Sequence, residues 1–233
     1  MKTLVIIPAY NEADSICRVV QNLKEQCPDV DYLVVNDCST DKTLEVLESN
    51  KLCYINLPTN LGIGGGVQSG YRYARDNGYD IAIQMDGDGQ HDPAFLSALI
   101  EPIENNEADM VIGSRFLEEG GFQSSFMRRV GIHFLSFLIK VLTGKKVYDV
   151  TSGFRACNKE TIQLFAQDYA QDYPEPDAIV SCVLNGYRVG EVSVDMIERK
   201  EGKSSINPFN SVYYMIKVSI SLIVSRIVTK KRK

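Results

Sequence analysis

Only two histidines, His91 and His133, occur in this 233-residue chain, and its six cysteines (Cys17, Cys27, Cys38, Cys53, Cys157 and Cys182) form no CxxC pair. That scarcity argues against a zinc site of ordinary Cys/His spacing, and a disulfide framework is not expected in a chain of this size. The cysteines read as reduced, mostly core residues, which points to the cytosol. A basic excess is also lacking: 25 Lys and Arg against 30 Asp and Glu give a formal charge of −5. A general nucleic-acid binder is usually basic, so no nucleic-acid partner is expected. A secretory leader is missing too. The opening MKTLVIIPAYNEAD meets Pro8 and then charge, too soon for a signal peptide, and reads as a first buried strand. No membrane-crossing run stands out. Phe209–Val228 has the length, but Lys217, Arg226 and four serines interrupt it.

What is present fits one substantial α/β domain: 44% hydrophobic, 24% charged and 9% aromatic residues. Apolar runs at Thr3–Pro8, Tyr32–Asn36, Cys53–Leu57, Ile81–Met85 and Met110–Gly113 read as strands. Between them, helical patterns run from about Glu12 to Glu25, Ser39 to Glu48, Gly64 to Asn77 and Pro93 to Asn105, with Ser39 or Thr40 as the second helix's cap. This rhythm predicts a mainly parallel sheet flanked by helices, with ligands beyond the carboxyl ends of its strands. The second half is less regular. Helices are expected over Phe126–Leu142, Glu160–Gln167, Asp177–Asn185 and Phe209–Val228, and a strand over Arg188–Asp195. No repeat, low-complexity tract or linker appears, so the expected organisation is one domain over 1–207 with a helical, basic tail over 208–233.

Polar clusters fall where the strands should end. Asp86-Gly87-Asp88-Gly89-Gln90-His91-Asp92 follows Met85 directly. Two carboxylates one residue apart can hold Mg²⁺ or Mn²⁺ against a diphosphate, with glycines turning the backbone; an acidic β-turn is the plain alternative. An EF-hand is disfavoured because the twelfth position from Asp86 is Ser97. Pro8-Ala9-Tyr10-Asn11-Glu12 and Asn36-Asp37-Cys38-Ser39-Thr40-Asp41 should lie side by side. There Tyr10 can stack on a base while Glu12 and Asp37 accept hydrogen bonds, or each cluster can simply be a cap and turn. Asn60–Gly66 resembles a phosphate cradle but lacks the Lys-Ser/Thr of a P-loop.

Together these clusters resemble glycosyltransferase family 2, and within it the polyprenyl-phosphate sugar synthases of the dolichol-phosphate-mannose synthase type. The matching pieces, in family order over residues ~1–207, are PAYNE at 8–12, NDCSTD at 36–41, NLGIGGG at 60–66 and DGDGQHDP at 86–93. GSR at 113–115, DVTSGFR at 149–155 and RKEGKSS from Arg199 complete them. The resemblance implies a glycosyltransferase A-type, Rossmann-like fold with C-terminal amphipathic helices. It implies a nucleotide sugar against Pro8, Tyr10, Glu12, Asp37 and Gly66, and Asp86, Asp88 and Gln90 around metal and diphosphate. Arg115 and Arg129 would hold the acceptor phosphate, and Arg199 would lie on a loop closing over the donor. His133, one turn after Arg129, stands where the subgroup can carry a small polar residue. It is read both as a group near that phosphate and as an ordinary helix histidine.

The implied reaction is inverting transfer from a nucleotide sugar to an undecaprenyl-type phosphate, supplying a lipid-linked donor for cell-envelope glycans. A UDP-glucose or UDP-N-acetylhexosamine donor is preferred to GDP-mannose. A phosphate monoester, dianionic at neutral pH with a second pKa of ~6, needs orienting arginines rather than a base. The alternative is a hydroxyl acceptor on a glycan or glycolipid, with Asp177 or Glu175 of Glu175-Pro176-Asp177 as base; Asp177 also reads as a helix cap. A non-enzymatic nucleotide-sugar-binding scaffold would show damage at Asp86, Asp88 or the arginines, and none is seen. Phe126–Leu142, with Arg128 and Arg129, and the C-terminal helix with its KKRK tail are expected to lie in the interface. They would hold the protein peripherally on the cytoplasmic face of the membrane.

Overall fold

The computed structural model describes residues 1–117, 126–196 and 208–232. The first half alternates as its apolar runs require: β1 (Thr3–Ala9), α1 (Ile16–Gln26), β2 (Asp31–Asn36), α2 (Thr43–Ser49), β3 (Tyr54–Asn56), α3 (Gly62–Asp76) and β4 (Ile81–Gln84). A 3₁₀ turn at Pro93–Phe95, capped by the Asp92 side chain, leads into α4 (Leu96–Glu104) and β5 (Met110–Ser114). Then follow α5 (Phe126–Thr143), β6 (Arg155–Asn158), α6 (Lys159–Gln167), α7 (Pro174–Leu184), β7 (Val189–Ser193) and α8 (Pro208–Arg232).

The strands form one sheet in the order β3-β2-β1-β4-β6-β5-β7. β1 pairs in parallel with β2 and β4, β2 with β3, and β5 with β7. β6 runs antiparallel to both its neighbours, β4 and β5. β1 is buried along its whole length because both sheet faces are covered, as a continuous apolar run requires. Leu4 and Ile6 face α3 and α6; Val5 and Ile7 face α1 and α4.

The glycosyltransferase A-type architecture, a mainly parallel sheet between helices, is therefore present, with three local differences from expectation. β6 was not anticipated. Its four residues, Arg-Ala-Cys-Asn, present no apolar run. Helix α2 begins at Thr43 rather than after Ser39 or Thr40, because those two residues bond elsewhere: Ser39 Oγ donates to Asn36 and the Thr40 amide to Asn11. Helix α7 begins at Pro174, so Asp177 lies inside its first turn and is not its cap.

Helices α5 and α8 pack on each other and on α7. Ile132, Leu135 and Ile139 of α5, with Val218 and Leu222 of α8, face the core. Their other faces remain apolar and open: Val130, Phe134, Phe137 and Val141 on α5, and Ile216, Ile220, Ile223, Val224 and Ile227 on α8. Among the described residues no helix is long and apolar enough to cross a membrane.

Candidate active site

Three glycines show which segments meet at the carboxyl edge of the sheet. A Cβ on Gly66 would stand 3.9 Å from Asp37 Cβ and 4.0 Å from Pro8 Cβ. One on Gly87 would lie 3.0 Å from Pro8 O and 3.7 Å from Glu12 Cγ, and one on Gly153 would lie 3.1 Å from Asp86 Oδ1. The ends of β1, β2 and β4, the start of α3 and the turn before β6 therefore converge. Pro8, Glu12, Asp37, Gly66 and Asp86, expected together, are together.

The first two loops are laced by side chains. Asn11, in a left-handed conformation at φ 59°, accepts from the Thr40 amide at 2.8 Å and the Asp41 amide at 3.2 Å. The Glu12 amide donates to Thr43 Oγ1 at 2.9 Å, and the Glu12 carboxylate accepts from Ser15 at 2.6 Å. Buried Asp37 accepts from the Leu61 amide at 2.7 Å, which ties the end of β2 to the start of α3. Tyr10 stands half exposed at the rim. The glycines after Leu61 divide in role. A Cβ on Gly64 would fall 2.0 Å from Ala170 O, and the Gly64 amide donates to Gln171 O at 3.0 Å. That amide belongs to an internal packing contact rather than to a phosphate cradle; Gly66 alone of the triplet borders Asp37 and Pro8.

Beyond β4, Gly89 takes φ 80° and the Gln90 amide donates to Asp88 Oδ1 at 3.0 Å, so the acidic turn closes on itself. Asp86 is partly open, with 38% of its side chain exposed. The donor chemistry suits Mg²⁺ or Mn²⁺: two hard carboxylates one residue apart, with Gln90 beside them. Among the described residues no cluster of three His, Cys, Asp or Glu surrounds such an ion. Magnesium commonly uses one or two carboxylates and fills its shell with substrate phosphates and water, so the residues fit that ion with a diphosphate in place. Buried His91, a member of the same acidic run, accepts from the Asp86 amide at 3.0 Å.

The antiparallel sense of β6 explains how Asp149–Phe154 reaches this edge. Gln84 pairs with Arg155, so residues preceding β6 arrive where residues following β4 depart. Arg155 is almost fully buried and donates to the carbonyls of Ser152 at 2.7 Å, Glu175 at 2.6 Å and Val150 at 3.3 Å. It stitches the Ser-Gly-Phe turn to α7. Gln84, also fully buried, finds no hydrogen-bond partner for its amide among the described residues.

The residues expected on the acceptor lie on two segments, Arg115 just after β5 and Arg129 with His133 on α5. Arg115 makes a two-pronged pair with fully buried Asp149, Nε to Oδ2 at 2.7 Å and Nη2 to Oδ1 at 2.8 Å, and Nη2 also reaches Thr151 at 3.0 Å. Through these bonds its fork braces the chain before β6. Burial would raise the Asp149 pKa, but the hydrogen bonds and charge of Arg115 outweigh it and hold the carboxyl below its ordinary value. Arg129 is half-buried and His133 exposed, one turn apart on α5. Asp177 accepts from Ser221 at 2.5 Å and Ser225 at 3.0 Å of α8. Glu175 is half-buried; burial pushes its carboxyl above the ordinary range, Arg155 opposes that, and Asp86 adds to it. Arg199, the side chain of Arg128 and those of the KKRK tail lie outside the described residues.

The profile described as glycosyl transferase family 2 matches residues 4–165, which is more than half of the chain. The chain belongs to glycosyl transferase family 2. This family 2 enzyme is 31% identical over 216 residues to the undecaprenyl-phosphate mannosyltransferase of Micrococcus luteus, covering 89% of this chain and 88% of that one. It is 32% identical over 213 residues to the UDP-N-acetylglucosamine–dolichyl-phosphate N-acetylglucosaminyltransferase of Methanococcus voltae, covering 83% and 84%. Its fold matches that of glucosyl-3-phosphoglycerate synthase from Mycobacterium tuberculosis, solved with Mn²⁺, UDP and phosphoglyceric acid. The TM-score is 0.74 at 18% identity, covering 97% of this chain and 78% of that one. As a family 2 member the protein is a glycosyltransferase.

Proposed function

We propose that this enzyme transfers a sugar, with inversion, from a nucleotide diphosphate to a polyprenyl phosphate while lying on a membrane surface. The observation that carries this reading is the meeting of Pro8, Glu12, Asp37 and Gly66 with Asp86 and the Gly153 turn at one sheet edge. Two relatives above 30% identity carry polyprenyl-type phosphate acceptors in their names, one with mannose and one with UDP-N-acetylglucosamine. A UDP-sugar donor fits the second of these and the UDP in the structural neighbour.

In this mechanism Tyr10 and Asp37 hold the nucleotide, and Glu12 braces their loop. Asp86, Asp88 and Gln90 would hold Mg²⁺ or Mn²⁺, which when bound neutralises charge on the departing diphosphate. An oxygen of the phosphate acceptor forms the new bond to the anomeric carbon on the face opposite the diphosphate. The old bond breaks as the nucleoside diphosphate leaves with its electron pair. No proton has to be removed from a dianionic phosphate. Arg129 on α5 orients the acceptor, with His133 one turn further along the same helix. Arg199 remains a proposed closing residue on the donor side.

The open apolar stripes of α5 and α8 support membrane contact: Phe137 is 65% exposed and Ile220 57%. A lipid interface would cover both, and basic residues of these helices would meet anionic headgroups. Asp177 is tied to α8 by two serines, which favours a bracing role for it over that of a base.

One observation favours a second reading. Burial pushes the Glu175 carboxyl above its ordinary range against the pull of Arg155, with a smaller rise from Asp86, as a base for a hydroxyl acceptor would require. The test is a panel of nucleotide sugars with polyprenyl phosphate in vesicles, with and without Mg²⁺ or Mn²⁺, followed by mass analysis of the lipid. A metal-dependent glycosyl-phospho-lipid is expected, with Glu175→Gln retaining transfer within about tenfold. No lipid product from any donor would refute the reading. A loss of about 10²–10⁴-fold in Glu175→Gln, the usual size of a general-base effect, would favour a hydroxyl acceptor.

A further inference from the structure

The acidic run contains a buried histidine outside the residues placed above on metal, nucleotide or acceptor. His91 is only 5% exposed, yet it lies five residues from a partly open carboxylate. Its Nδ1 accepts a hydrogen bond from the backbone amide of Asp86 at 3.0 Å. In that arrangement Nδ1 carries no proton and the ring N–H sits on Nε2. Nε2 lies 3.7 Å from Asp86 Oδ2, beyond hydrogen-bond length but beside the carboxylate. One imidazole thus holds the Asp86 main chain and lies beside its carboxylate.

The ring is itself immobilised. It stacks on Phe154 with centroids 4.8 Å apart and planes 9° apart. Phe154 belongs to the Ser-Gly-Phe turn, is fully buried and packs against Gly113, where a Cβ would stand 3.2 Å from Phe154 Cδ1. The His91 backbone forms an antiparallel bridge to Met196, just beyond β7. Three segments therefore meet at this one residue: the acidic turn and the turn before β6 at its ring, and the exit of β7 at its backbone.

We infer that His91 is a positioning residue for Asp86: it fixes the direction of a carboxylate proposed to hold a divalent cation and diphosphate, without touching either. The inference rests on the metal-assisted reading above. A carboxylate on a glycine-flanked turn has many orientations in water, and a cation binds only the few that aim both acidic side chains at one point. Holding the Asp86 main chain from a stacked, buried ring removes most of that freedom before the ligand arrives. Partners behind metal ligands typically contribute 10–100-fold to metal affinity, which sets the size of the expected effect.

Mn²⁺ is the probe, titrated by calorimetry and by its paramagnetic resonance signal, with the whole protein and saturating UDP. Metal-free UDP affinity and thermal stability are measured alongside. His91→Phe retains a ring against Phe154 and removes both polar contacts. It is expected to weaken Mn²⁺ binding about 10–100-fold while leaving metal-free UDP affinity within about twofold. His91→Asn places an oxygen near the position of Nδ1 and is expected to restore a large part of the loss. Wild-type-like Mn²⁺ binding in His91→Phe would overturn the assignment. So would equal losses of Mn²⁺ and metal-free UDP binding in both variants, tracking a lowered melting temperature, because that is the mark of a packing residue. If the wild type with UDP binds no Mn²⁺, the metal-assisted reading itself falls, which is a separate result from an unaffected His91→Phe.

Discussion

Replacing Asp149 by asparagine tests the brace between β5 and β6 directly. Asp149 is fully buried, Arg115 is 12% exposed at its side chain, and the two share two short charge-assisted hydrogen bonds. Asparagine keeps the shape but leaves the guanidinium without its counter-charge. Breaking a buried pair from one side costs about 3–5 kcal/mol; with one acceptor oxygen retained, about 3 kcal/mol is expected. In a chain of this length that is a fall of roughly 6–12 °C in melting temperature. The pH dependence follows from the depressed Asp149 pKa. A carboxyl whose folded pKa lies below its unfolded value, about 3.9, stabilises the fold fully above that value. The contribution disappears as the pH falls through the folded pKa. The gap between wild type and Asp149→Asn should therefore be constant from pH 7 to about 5 and close below about 4. Thermal and urea unfolding across pH 3–7 measure it. Arg115→Met combined with Asp149→Asn should recover much of the loss, since a buried pair replaced on both sides is often close to neutral. A gap under about 0.5 kcal/mol at pH 7, within the range of an ordinary surface substitution, or one unchanged at pH 3, would refute the reasoning.

Gly64→Ala and Gly66→Ala should part company although both add one methyl to the same helix. The first drives a Cβ to 2.0 Å from a backbone carbonyl and should cost about 1–3 kcal/mol net; the second meets ordinary contacts, gains up to about 1 kcal/mol of helix propensity and should weaken UDP binding, both read by thermal shift with and without UDP. Phe137→Glu together with Ile220→Glu should lower sedimentation with anionic vesicles at least tenfold at unchanged melting temperature, since burying each apolar side chain contributes about 1.5–3 kcal/mol; undiminished sedimentation would remove α5 and α8 as the contact surface.

The sheet and most helices were legible because their apolar periodicities are local. β6 was not, because a four-residue strand with Arg155 and Asn158 at its ends shows no alternation. Its arginine is buried only because three carbonyls from Val150, Ser152 and Glu175 converge on it. On the donor side, the convergence of Pro8, Glu12, Asp37 and Asp86 was legible because their motifs end apolar runs that form neighbouring strands. The pairing of Arg115 with Asp149 was not legible, because the two are 34 residues apart and no local pattern links them. The packing contact of Gly64 was hidden for a similar reason, since the carbonyl that fills its space belongs to Ala170. The place of His91 beside Asp86 was hidden for a different reason. Five residues separate them, but the contact depends on a turn whose closure only three dimensions display.

The antiparallel sense of β6 has one further consequence. Because β5 leaves the sheet at the ligand edge and β6 enters from that edge, the stretch carrying α5 begins and ends on the same rim. Arg115 and Asp149 fasten its two ends together. It is a cassette clipped at its base, and its length and contents are decoupled from strand register. Exchange of that cassette between family members offers a route to new acceptors in which the donor half of the fold stays untouched.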